Sequence, residues 1–196
     1  MLKPLLIAGA LVVTMAAVYA QNVPTATCKA CPASYISNEE LQAYLKRAIA
    51  RNQIDQQVRS VDIGRSGVAV GMVHRTKLDK PQSNSVAEHD HVSEVYHVIS
   101  GAATLVTGPE LVEAQRRPAT NENVRLLNGP GSNAASIKDG VTYQLKAGDA
   151  IVIPAGTGHW FTRIDDHITY IMIRIDPDKV VPLKDEAASK AYLSGQ

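Results

Sequence analysis

The chain has 196 residues, 45% hydrophobic and 20% charged, with a formal net charge of +1. That length accommodates one domain with its own core and leaves little room for a second. Near-neutral charge gives no basic footprint, so nucleic acid is not an expected partner.

At the N-terminus, Met1-Leu2-Lys3 precedes an apolar run from Leu5 to Val18 that ends in Ala16-Ala17-Val18-Tyr19-Ala20. This is the layout of a secretory signal peptide over residues 1–20, with cleavage expected after Ala20. The competing reading is an uncleaved anchor, but the run is shorter than the roughly 18–20 apolar residues of a spanning helix. The protein is therefore expected to be exported, periplasmic or secreted, with no stable membrane insertion after cleavage. Cys28 and Cys31 then form C-x-x-C in an oxidising compartment, where a disulfide or an idle pair is expected over a redox catalyst. A c-type haem would need His where Pro32 stands, and a structural zinc site would need two further ligands nearby.

Residues 21–55 read as a tail and a helix. Ser37-Asn38-Glu39-Glu40 is a capping box, and Leu41, Tyr44, Leu45, Ala48 and Ile49 follow at helical spacing to about Asn52. This helix is expected on the outside of the body, without chemistry. Residues 56–178 change texture, with short β-rich stretches separated by turn residues. Strands are predicted over 57–62, 67–75, 95–99, 102–107, 142–145, 150–153, 160–164 and 168–175, with turns at Gly64, Gly101, Gly140 and Gly148. Many short strands mean a sandwich or barrel. Residues 109–139 are polar and aperiodic, and read either as a lid over a barrel mouth or as an insertion without a role. Asp176-Pro177 ends the last strand. Residues 179–196 carry a short helix at about 184–193.

Two stretches hold the chemistry. In the first, His89-Asp90-His91 puts two imidazoles on one face if the segment is a strand, with Glu94 just beyond. Two imidazoles and a carboxylate suit a divalent first-row metal, although a His-x-His pair alone reads more readily as part of an exposed polar loop. The second stretch runs from Gly148 through Pro154 and Gly156 to His159, at a turn where a strand would re-enter a barrel.

Together these stretches resemble the two motifs of the cupin superfamily. The first motif, roughly G-x5-H-x-H-x3,4-E-x6-G, is matched at His89, His91, Glu94 and Gly101. It departs where Ser83 replaces the leading Gly and where only two residues separate His91 from Glu94. That shortened gap bears on whether both histidines are ligands. The second motif, G-x5-P-x-G-x2-H-x3-N, is matched at Gly148, Pro154, Gly156 and His159, with Arg163 in place of Asn. The resemblance covers about residues 67–174. It implies an all-β protein, a double-stranded β-helix (jelly-roll) barrel of the cupin type with flanking N- and C-terminal helices. It further implies one divalent transition metal (Fe, Mn, Ni or Zn) held by His89, His91, Glu94 and His159, with two positions left open. It leaves room for a homodimer.

Around that site Tyr96 shares parity with Glu94, and His74 lies late in its strand, so both are candidate acid or base residues. Trp160 follows the last ligand. Arg174 is a charge in an apolar strand and needs a partner. His97 has the opposite parity and is expected outside, and His167 reads as a turn residue. Two functions stay open. One is a metalloenzyme acting on a small organic molecule by dioxygenase, isomerase or lyase chemistry. The other is a non-catalytic barrel that binds a small molecule or the metal. A structural protein with a decayed site is a weaker third reading.

Overall fold

Strand alternation governs the chain from Asp55 onward, in a computed structural model that describes residues 26–28 and 30–195. The expected signal peptide lies outside the described residues. The chain divides into two units, Met1–Cys31 and Pro32–Gln196. In the first, Cys28 and Cys31 are joined as a disulfide, with Cα atoms 5.7 Å apart. Among the described residues, no helix is long and apolar enough to cross a membrane.

The second unit opens with helix α1, Asn38–Ala50. Ser37 caps it by accepting from the Glu40 backbone N–H at 3.1 Å. Only half of the expected capping box forms, because the Glu40 carboxylate pairs with Arg59 at 2.8 Å instead. Strands β1 (Asp55–Asp62) and β2 (Gly67–Leu78) form a hairpin. Then come β3 (Val86–His89) and the long β4 (Ser93–Gly108). Two-residue strands β5 (Leu111–Val112) and β6 (Gln115–Arg116) lead to a π-helical turn at Val124–Asn128. Next are β7 (Gly131–Ala134), β8 (Ser136–Ile137), β9 (Val141–Lys146) and β10 (Ala150–Ile153). The 19-residue β11 (Gly158–Asp176) and helix α2 (Glu186–Ser194) complete the unit.

Two strands make the barrel. β4 and β11 run antiparallel from Gly158↔Gly108 to Ile175↔Ser93, and each is shared by two sheets. One sheet runs β1-β2-β11-β4-β10, and the other runs β6-β7-β3-β11-β4-β9. The fold is thus a double-stranded β-helix of the jelly-roll kind, as expected. The predicted strand pairs 95–99/102–107 and 160–164/168–175 are each one continuous strand, bent where the sheets meet. Gly101 makes the β4 bend: its φ is +76°, and a Cβ there would collide with the His167 carbonyl. Opposite it, the β11 register shifts between Arg163 and Ile168. The segment 109–139, read from sequence as a loop, contributes β6 and β7 to a sheet. β7 pairs with β3 from Val86↔Ala134 to His89↔Gly131, so that part of the segment is built into the sheet, while residues 113–123 are largely exposed.

Alternation sorts the side chains. Val73, Tyr96, Val98, Leu105, Phe161, Tyr170 and Met172 fill the barrel interior. On the outer face of the β1-β2 hairpin, Tyr44 of α1 packs with Val58 and Met72. Tyr192 of α2 stacks on Tyr44 at 5.3 Å. Each fully buried large side chain of this kind contributes about 1.5–3 kcal/mol. The two helices therefore cover one outer wall and leave the interior to the site.

Candidate metal centre

Three of the four expected ligands meet inside the barrel. His89 ends β3, Glu94 lies near the start of β4, and His159 lies near the start of β11, all three buried. Glu94 Oε1 is 3.4 Å from His89 Nε2, and Glu94 Oε2 is 3.5 Å from His159 Nε2. One donor atom from each residue falls within a 4.8 Å group.

His91 is not among them. The expectation that His89 and His91 share a face required a strand through both, but β3 stops at His89 and the backbone turns over 90–92. The His91 ring is 42% exposed, and its Nδ1 lies 2.7 Å from Asp178 Oδ2. Its place beside the carboxylate is taken by charge of another kind. Arg174, fully buried, sets its Nε 3.4 Å from Glu94 Oε1 and pairs with Asp55 through Nη2. Its Nη1 donates to Gln57 Oε1 at 3.2 Å. Arg174 thus faces the interior rather than an edge.

Tyr96 points inward as parity predicts, donating its hydroxyl to Glu94 Oε2 at 2.7 Å. Burial, then the negative Glu94, hold the Tyr96 phenol well above its ordinary range, so it keeps its proton. For Glu94 burial alone would raise the pKa, but His89, His159 and Arg174 outweigh it and hold the carboxyl well below the usual range. Burial pushes His159 down to about 4, leaving a neutral imidazole at neutral pH. His74 lies on the other side of its strand. It shares the face of β2 that carries Met72, with Nδ1 2.9 Å from Thr169 Oγ1 and its ring stacked on His167 at 5.7 Å. His74 therefore does not point at the three buried donors, although it lines the same cleft as His159. Trp160 points away from the interior, its indole N–H donating to Ser85 Oγ at 2.8 Å. His97 is exposed, as its parity implies.

Two arginines enter the site without having been singled out. Arg75 has the inward parity of Val73, donates to the Tyr170 hydroxyl at 3.3 Å and lies over the Phe161 ring at 4.7 Å. The parity of β2 was the signal that could have found it. Arg117 follows β6, donates to the carbonyls of Glu88 and Ser132, and reaches His89 Nδ1 at 3.0 Å. Gly131 leaves the room for it, since a Cβ there would collide with the Arg117 guanidinium. Nothing in the sequence pattern pointed to Arg117, because the β6-β7 pairing alone puts it there.

The ring nitrogens test whether this set fits a metal. His159 Nδ1 faces the Thr157 carbonyl at 3.2 Å, which fixes its proton there and leaves the Nε2 lone pair turned toward the Glu94 carboxylate. Glu94 Oε2 accepts from Tyr96, and the His159 Nε2 lone pair 3.5 Å away is turned toward the same oxygen, an arrangement that a shared cation would satisfy. The separation is that of neighbouring donors on one ion with bonds of about 2.0–2.2 Å. His89 fits once its proton moves to Nδ1, because the Arg117 donor now favours a lone pair on that nitrogen. Two imidazoles and one carboxylate suit several first-row divalent ions and do not choose among them.

No protein-family model matches the chain, and no curated protein matches it. Solved structures do. A Bacillus halodurans protein is 14% identical, with 85% of this chain and 98% of that one covered and a TM-score of 0.41. A cupin protein from Bacteroides fragilis is 14% identical over 80% of this chain and 93% of its own, at 0.38. A Klebsiella pneumoniae protein with a double-stranded β-helix domain is 17% identical over 67% and 86%, at 0.36. At these scores the likenesses carry no argument about the site, and the barrel type rests on the strand order above.

Proposed function

We propose that this cupin-type barrel is an exported metal-binding protein and a metalloenzyme for a small organic molecule. The observation that carries the reading is the facing pair of acceptors, His159 Nε2 and Glu94 Oε2, 3.5 Å apart in a buried interior. In this reading His89, Glu94 and His159 hold one divalent transition metal (iron, manganese, nickel or zinc), and His91 does not. Bound there, such an ion supplies Lewis-acid or dioxygen chemistry at the positions the protein leaves open.

The chain's own residues have distinct tasks. Glu94 stays ionised and carries the negative charge of the site. Arg174 orients that carboxylate from behind, itself braced by Asp55 and Gln57. Tyr96 holds a proton against Glu94 Oε2 and is the acid nearest the donors. His159 joins the buried site to an open cleft, since it lines that cleft while also facing Glu94. Substrate would approach from that side.

The test is elemental mass spectrometry of the mature protein recovered by export. About one metal equivalent, lost in His159→Ala, supports the reading. A folded protein that takes up no metal on reconstitution refutes it. Iron would direct the search to oxygen uptake, and zinc, nickel or manganese to isomerase or lyase assays.

A further inference from the structure

The cleft beside His159 has a volume of about 310 Å³ and is lined by Arg75, Leu78, Ser85, Phe161 and Ile164 among others. Its one fixed cation is Arg75. Arg59, Arg116, Arg163 and Arg174 each have a carboxylate partner. Among the described residues, Arg75 forms no ion pair. Its Cζ lies over the Phe161 ring at 4.7 Å and its Nε donates to the Tyr170 hydroxyl at 3.3 Å. These contacts occupy one of the five N–H donors and leave the terminal fork without a hydrogen-bond partner among the described residues. Lys77, the neighbouring cation, is 60% exposed and already paired with Asp79 at 3.1 Å.

A guanidinium held by an aromatic ring and a hydroxyl presents a preformed fork for a planar oxyanion. Asp55 is felt only at a distance, and among the described residues no carboxylate pairs with Arg75 directly, which suits a monoanion. Leu78 and Ile164 offer apolar wall to the rest of such a molecule. We propose that the cleft binds a small organic carboxylate and that Arg75 recognises its carboxylate group by a bidentate ion pair. This rests on the reading above, because it makes the substrate an acid held beside His159. Arg75 is a recognition residue in this scheme.

Isothermal titration calorimetry on the mature, metal-free protein tests it with benzoate and hexanoate, each against its neutral amide, and with inorganic phosphate. The expected result is binding of an acid at least about tenfold tighter than its amide. Arg75→Gln should abolish that preference, Arg75→Lys should restore part of it, and Lys77→Gln should leave it unchanged. Three results would overturn the proposal: equal binding of acid and amide, an Arg75→Gln protein that binds acid as the parent does, or no binding of either acid. Tighter binding of phosphate than of both carboxylates would overturn the ligand class. If the Arg75 variants fail to fold, the acid-against-amide comparison in the parent protein decides alone. Metal is absent from the titration, so the two readings fail separately. A protein that prefers acids but never loads metal keeps this inference and loses the metalloenzyme.

Discussion

Arg117 places a guanidinium nitrogen 3.0 Å from His89 Nδ1, on the side of the ring turned away from Glu94. A guanidinium only donates, so this contact favours the His89 tautomer with its proton on Nε2. Metal ligation by Nε2 needs the opposite tautomer. Arg117 and metal therefore compete for the protonation pattern of one ring. Arg117→Gln should raise metal affinity by about tenfold, the worth of one charge-assisted hydrogen bond. Competition against a chromophoric chelator measures it, and affinity that is unchanged or weaker would show that Arg117 does not oppose loading.

His91 should be dispensable. Its ring is exposed and paired with Asp178, so His91→Ala should keep the parent's metal stoichiometry and alter stability by under about 0.5 kcal/mol. Loss of metal in that variant would restore it to the ligand set.

The metal-free protein should be acid-labile in a defined window. The folded-state pKa of His159 is pushed down to about 4 by burial, against about 6.5 when unfolded. Between these values the unfolded chain binds more protons, so stability is full above about pH 6.5 and falls as pH drops toward 4. The shift corresponds to about 3 kcal/mol. Urea titrations at several pH values should show this slope, and His159→Gln should flatten it. An unchanged slope in the variant would assign the acid lability to other groups.

Arg174 should matter most for folding. Its guanidinium is 1% exposed and lies between Asp55 and Glu94, so Arg174→Gln strands two carboxylates. Breaking a buried pair from one side costs about 3–5 kcal/mol, which chemical denaturation would resolve. A loss below about 1 kcal/mol would mean that water reaches these carboxylates.

What the sequence by itself determined was local. Ser37 before an apolar helical stripe led to α1, and Gly101 between two apolar runs marked the bend of β4. Parity put Tyr96 on the face of Glu94, and the resemblance to cupins put that face inside. These readings held because each depends on periodicity or on a turn within a few residues. Tertiary structure decided the rest. Whether His91 joined His89 depended on where β3 stops, which its pairing with β7 sets. His74 and Arg75 are neighbours on one strand, and only the packing of α1 over Met72 shows which face is the outside. Arg117 and Arg174 reach the donors across 28 and 80 residues of chain respectively, to His89 and Glu94. No periodicity carries such a contact, because it is made by sheet closure and not by the backbone near either partner.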